Sequence, residues 1–251
     1  MTADIRVLPN EDALFCAAAE EFALIGAEAS RAHGAFSVAL SGGSTPKGLY
    51  RLLASDPRLK AAVPWEKTHV FWGDERHVPP DHSDSNYRTA NETLLSKVPI
   101  PSKNVHRIAG EQPDAARAAA AYEEEIRRHF RLAPGELPRF DLVLLGLGTE
   151  AHTASLFPGT AALEETRRLA VSNWIDKLST DRITLTAPVF NAAANVAFLV
   201  AGQDKAEPLK AILEGPYEPR QLPAQLVRPA SGRFLVFADA AAARLLEKAA
   251  S

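Results

Sequence analysis

The chain of 251 residues holds a single cysteine, Cys16. That excludes an internal disulfide and a cysteine-built metal cluster. Cys16 stands beside Phe15 and ahead of an alanine run, and it reads as a small buried hydrophobe, not as a nucleophile. Neither sign of charge dominates. Twenty-eight Lys and Arg against 31 Asp and Glu leave a net charge of -3, with no basic tail. A dedicated nucleic-acid binder is therefore not expected, although a local cationic pocket for an anionic metabolite remains open. No apolar run is long enough to span a membrane, and "MTADIRVLPN" lacks the basic start and apolar core of a secretion signal. A cytoplasmic location with no membrane partner is expected. Repeats, low-complexity tracts and linkers are also missing, so residues 1–251 are read as one domain.

What is present is an alternation of strands and helices. "EDALFCAAAEEFALIGAEASRAHG" carries Leu14, Ala18, Phe22, Ile25 and Ala29 at helical spacing, with Gly34 placed to stop the helix. "FSVAL" and "FDLVLLG" are short continuous apolar strands, the kind buried on both faces of a parallel sheet. "THVFWG", "RITLT", "VAFLVAG" and "RFLVFAD" are further strands, and "DERHVPPDHSDSN" reads as a long polar loop. Helices are expected over "KGLYRLLA", "YRTANETLLSKV", "DAARAAAAYEEEIRRHF" (opened by Pro113), "APVFNAAA", "KAEPLKAILEG" (with Pro208 in its first turn) and "AAAARLLEKAA". This order predicts an α/β fold, a doubly wound, mostly parallel sheet with helices on both faces. In such a sheet ligands bind outside the carboxyl ends of the strands.

The strand exits therefore carry the functional argument. "GLGTEA" (residues 146–151) fits the glycine pattern of a dinucleotide turn. That turn needs a helix straight after it to hold the pyrophosphate, and Pro158 and Gly159 leave no room for one. The glycines instead give a tight exit that puts Glu150 and His152 at the strand mouth. "LSGGSTP" places Gly42, Gly43, Ser44 and Thr45 where a strand meets a helix N-terminus, an anion cradle without Walker spacing. Asp74, Glu75, Arg76 and His77 follow another strand. Lys205 follows Gly202, and Arg182 opens "RITLT" as a second cation. Each feature alone is modest, but a parallel sheet gathers such exits into one crevice.

At these residues the chain resembles the 6-phosphogluconolactonases, members of the glucosamine-6-phosphate isomerase/6-phosphogluconolactonase family. The resemblance rests on "LSGGSTPKGLY", "WGDERHVPPDHSDSNYR", "GLGTEAHTASLFPG", "RITLTAPVFNAA", "AGQDKA" and "FADAAAA", in family order across nearly the whole chain. It implies a Rossmann-like fold of the sugar-phosphate isomerase/deaminase type. It also implies hydrolysis of 6-phosphoglucono-δ-lactone to 6-phosphogluconate in the oxidative pentose phosphate pathway. One departure stands out: the family pattern has Asp-Gly where this chain has Glu150-Ala151. Alanine disfavours the positive φ that glycine allows, so a shifted loop is expected.

A lactone is an activated ester, so neither metal nor cofactor is required. His152 is the expected general base toward water. Asp74 or Glu150 would orient the imidazole or the water, and Glu150 would raise the His152 pKa. Arg76 or backbone N–H groups would stabilise the oxyanion. The phosphate would lie in the Gly42-Gly43-Ser44-Thr45 cradle with Arg182 and Lys205 as counter-charges. One alternative is a glucosamine-6-phosphate deaminase/isomerase, but Phe157-Pro158 stands where that family has Glu-Pro. A non-catalytic sugar-phosphate sensor is the other, to be told apart by turnover. The oligomeric state is not legible.

Overall fold

The computed structural model describes residues 3–247. In chain order its elements are β1 (Asp4–Leu8), α1 (Glu11–His33), β2 (Phe36–Leu40), α2 (Ser44–Ser55), α3 (Pro57–Ala62), β3 (Thr68–Trp72), β4 (Asp74–Arg76), α4 (Asn86–Thr93) and α5 (Ala115–Phe130). Then come β5 (Leu142–Gly146), β6 (Ala170–Ile175), β7 (Thr180–Leu185), α6 (Ala187–Ala192), β8 (Asn195–Val200), α7 (Ala206–Glu214), β9 (Arg233–Asp239) and α8 (Ala240–Ala243). Six strands form a parallel sheet in the order β1-β9-β8-β5-β2-β3, surrounded by helices. All five residues of β2 are buried, as a continuous apolar strand between two helical layers requires.

The winding fixes where a ligand can enter. From β2 the chain moves outward to β3, then crosses back to lay β5 on the other side of β2. The segments leaving β2 and β5 therefore diverge, which opens a crevice at the topological switch point. Those two segments are Ser41-Gly42-Gly43 and Leu147-Gly148.

Several expectations need correction. Asp74–Arg76 is not loop but strand β4, paired antiparallel with β7 in a second sheet of order β4-β7-β6. "RITLT" is thus a strand of the small antiparallel sheet. The smaller sheet is tied to the larger through Gly73, whose N–H donates to Leu40 O and whose carbonyl accepts from Leu185 N–H. Strands β1 and β6 were not expected from the sequence. Cys16 is exposed: it lies two residues from both Leu14 and Ala18, about 200° around α1 from their buried stripe. Asn10 and Gly34 cap α1, with Gly34 left-handed as expected. Asp114, not Pro113, caps α5. The last expected helix is seen only as Ala240–Ala243, and its end falls partly outside the described residues. Among the described residues, no helix is long and apolar enough to cross a membrane.

Candidate active site

The crevice at the switch point has a volume of about 200 Å³. Its lining includes Gly42, Gly43, Ser44 and Thr45 from the β2–α2 junction, Asp74 and Arg76 from β4, His152 after β5 and Lys205 after β8. Four separate strand exits thus converge.

The first wall is the α2 N-terminus. Gly43 has φ 105, a conformation that an L side chain rarely adopts, and no side chain caps the helix. Its first amides therefore keep their partial positive charge for a ligand. Buried Tyr50 holds the loop: its hydroxyl donates to Ser41 O at 2.6 Å and accepts from Ser41 N–H at 3.0 Å.

Opposite stands β4, whose three residues do different work. The Asp74 carboxylate is buried and fixed, accepting from Ser155 Oγ at 2.7 Å and Asn86 Nδ2 at 3.2 Å. Glu75 is scaffold. Its carboxylate accepts from the N–H groups of Arg76, Asn86 and Tyr87 and from Ser85 Oγ, anchoring the start of α4. Arg76 lines the crevice and donates to Asp84 O at 2.7 Å. Arg182 pairs across from Arg76 in the β4–β7 register. Its Nε is buried without a hydrogen-bond partner, and burial together with Arg76 lowers its pKa. Two adjacent guanidiniums, one incompletely satisfied, form an anion-seeking corner. Arg182 is not itself part of the crevice lining; it stands one strand behind Arg76.

His152 sits on a tight turn. A Cβ on Gly148 would come within 2.0 Å of the imidazole, so glycine is needed there for close approach. The ring stacks on Phe157 at 4.1 Å between centroids, and Nδ1 is buried without a partner. The expectation that Asp74 or Glu150 hydrogen-bonds the imidazole is therefore not met in this state. The expected rise in the His152 pKa is also reversed. Burial, then the Lys177 ammonium, push it down to about 4, and Asp74 and Glu150 offset this only in part. Glu150 itself is exposed, lies outside the crevice lining and pairs with Lys177. Ala151 adopts φ 55 in spite of its methyl group, and Ala154 adopts φ 48. The turn thus takes the left-handed conformation that glycine would favour, at a cost of about 1–2 kcal/mol per residue.

Lys205 reaches the crevice from the segment after Gly202, and its ammonium lies 2.9 Å from Asp204. Asn86 and Ser155, which hold Asp74, were not singled out in the sequence. Asn86 opens α4 behind the Ser85 cap, and that cap was the only available signal.

Comparison with known proteins identifies the family and the fold. Residues 9–236 match the family described as glucosamine-6-phosphate isomerases/6-phosphogluconolactonase. A 6-phosphogluconolactonase of Nostoc sp. is 41% identical over 242 residues, covering 96% of this chain and 98% of that protein. One from Synechocystis sp. is 46% identical over 193 residues, covering 77% and 78%. The solved 6-phosphogluconolactonase of Trypanosoma cruzi superposes with a TM-score of 0.86 at 31% identity, over 98% of each chain. A monomeric glucosamine-6-phosphate deaminase shares the fold with a TM-score of 0.77 at 20% identity, covering 97% of this chain and all of that one. With its crevice at the switch point and its sequence matched over nearly its whole length, this chain belongs to the glucosamine-6-phosphate isomerase/6-phosphogluconolactonase family.

Proposed function

We propose that this chain hydrolyses 6-phosphoglucono-δ-lactone to 6-phosphogluconate, in one catalytic domain and with the crevice as active site. The observation that carries the reading is the pairing of a neutral imidazole with a cationic rim in one small crevice. His152 is held uncharged by burial at physiological pH, so a lone pair is available to accept a proton from water. The phosphate sits in the Gly42-Gly43-Ser44-Thr45 cradle, with Lys205 as the counter-charge in the lining and Arg182 adding its charge from behind Arg76. Its negative charge raises the basicity of His152 once substrate is bound, which strengthens the base when it is needed.

Water attacks the lactone carbonyl as His152 takes its proton. Asp74, fixed by Ser155 and Asn86, orients the water or the imidazolium that forms. Arg76 faces the carbonyl oxygen and stabilises the tetrahedral oxyanion. Collapse of that intermediate breaks the ring C–O bond, and the imidazolium returns its proton to the departing ring oxygen. Glu150, turned to Lys177 at the surface, is not assigned a catalytic step. The deaminase reading loses its ring-opening acid at Phe157-Pro158 and has no compensating carboxylate in the crevice lining except Asp74. A reducing cytoplasmic setting accords with the exposed unpaired thiol of Cys16.

The test is turnover of freshly made lactone, followed as acid release above the spontaneous rate. Wild-type protein should accelerate it, and His152→Ala should lower kcat by about two to four orders of magnitude, the usual scale for loss of a general base. Binding of sugar phosphate without turnover in the wild type would turn the reading to a sensor. Wild-type kcat in a folded His152→Ala protein would remove His152 as base.

A further inference from the structure

Away from the crevice, three imidazoles meet beside the amino end of β3. His69 is the second residue of β3. His106 follows Val105, which bridges to Val70 of the same strand, and His129 lies in the last turn of α5. His69 Nδ1 and His106 Nε2 are 3.1 Å apart. One ring nitrogen from each of the three lies within 4.8 Å of the others. All three side chains are partly buried, so the group is packed yet reachable from the surface.

The arrangement of protons is informative. His106 Nδ1 lies 2.8 Å from the Glu125 carboxylate, so with that carboxylate ionised Nδ1 carries the hydrogen. In neutral His106 the other nitrogen, Nε2, is then a bare lone pair aimed at His69 Nδ1. Either a proton from His69 or a cation must occupy that line. A carboxylate behind one imidazole is the arrangement that fixes the tautomer and aim of a metal-binding histidine. Phe71, stacked on His106 at 4.3 Å, holds the ring in plane. The charges that face the group are Lys103, which opposes a cation, and Glu125, itself paired with Arg128.

We propose that His69 Nδ1, His106 Nε2 and a ring nitrogen of His129 form a binding site for Zn²⁺, completed by water. Zinc with nitrogen ligands at ~2.0–2.1 Å sets tetrahedral neighbours about 3.4 Å apart. The His69–His106 pair is already near that spacing, and the widest of the other separations closes by little more than an ångström through side-chain rotation. The ion would join β3, the segment after its bridge at Val105, and the end of α5. The site shares no residue with the crevice lining, so its role is structural.

Chelator-treated protein titrated with ZnCl₂ by calorimetry should bind one equivalent, and its Tm should rise. His106→Gln and His129→Gln should each abolish both effects, while His152→Gln keeps them. Cobalt(II) should give the intense visible bands of a tetrahedral nitrogen-rich site in the wild type. No zinc-dependent heat or Tm shift, a one-equivalent event that survives both cluster substitutions, or one lost in His152→Gln would overturn the site. If a cluster variant does not fold, the cobalt spectrum decides: weak octahedral bands reject the proposal.

Discussion

A buried histidine leaves a signature in stability as well as in catalysis, and for His152 the two can be separated. The imidazole is driven down to about 4 by burial, with Lys177 adding to the effect. In the unfolded chain it titrates near ~6.5. Between those values the unfolded state carries the proton and the native state does not. Stability therefore falls as pH drops through that window and flattens again below the folded value. From pH 7 to pH 5 the loss integrates to about 2 kcal/mol for this one residue. His129, also held down to about 4, contributes a similar slope, so the wild-type curve alone cannot assign it. Comparison with His152→Gln does. Urea unfolding at both pH values should show the wild type losing about 2 kcal/mol more than the variant. Equal losses would mean that His152 titrates near its ordinary value. Burial would then not be what keeps the imidazole neutral.

Lys205→Ala should raise KM by roughly 10–100-fold and weaken 6-phosphogluconate binding in parallel, the scale of one charge-assisted hydrogen bond. Unchanged affinity for the product by calorimetry would remove Lys205 from the phosphate site. Ser155→Ala removes the donor 2.7 Å from Asp74 Oδ2 and leaves a buried carboxylate oxygen short of a partner. It should cost about 1–3 kcal/mol in urea unfolding and lower kcat with little change in KM. A variant as stable and as fast as wild type would show that Asp74 does not depend on Ser155.

How much of this was legible in the chain depended on whether the signal was local. "FSVAL" and "FDLVLLG" read as buried strands because both faces are covered, and continuous apolar runs follow from that. β4 was hidden because its sequence is Asp-Glu-Arg, which has no strand character of its own. It is extended because β7 supplies its ladder across more than a hundred residues of chain. β1 lies at an edge of the sheet with no fully buried residue and no alternation of burial, so it gives no period-two pattern. In the site, the glycines and charged residues stood out because strand exits are where such residues collect. The partners of Asp74 did not: Asn86 is 12 residues away and Ser155 is 81 away, so only the fold brings them together. The His152 pKa was misjudged for the same reason. Glu150 is its visible neighbour in sequence, while burial and Lys177, which set the sign, are properties of the folded state.

The unfinished contacts of the crevice lie on one theme. His152 Nδ1 and Arg182 Nε are buried without partners, and the first turn of α2 has no side-chain cap. Ala151 and Ala154 hold left-handed backbone on either side of His152 and Thr153. Each of these lowers the stability of the free protein, and each lies at or beside the switch-point crevice. Around them Tyr50 closes both hydrogen bonds of Ser41 and Glu75 accepts four, while Trp72 Nε1 in β3 is also buried without a partner. Rigid surroundings therefore hold unsatisfied groups in place, and they cannot relax toward one another. That is the condition under which a ligand gains from contacts the protein could not make for itself. The amides and the guanidinium call for an anion, and the imidazole for a proton or a donor. A phosphorylated lactone with a water at its carbonyl supplies both, whereas inorganic phosphate alone supplies only the first.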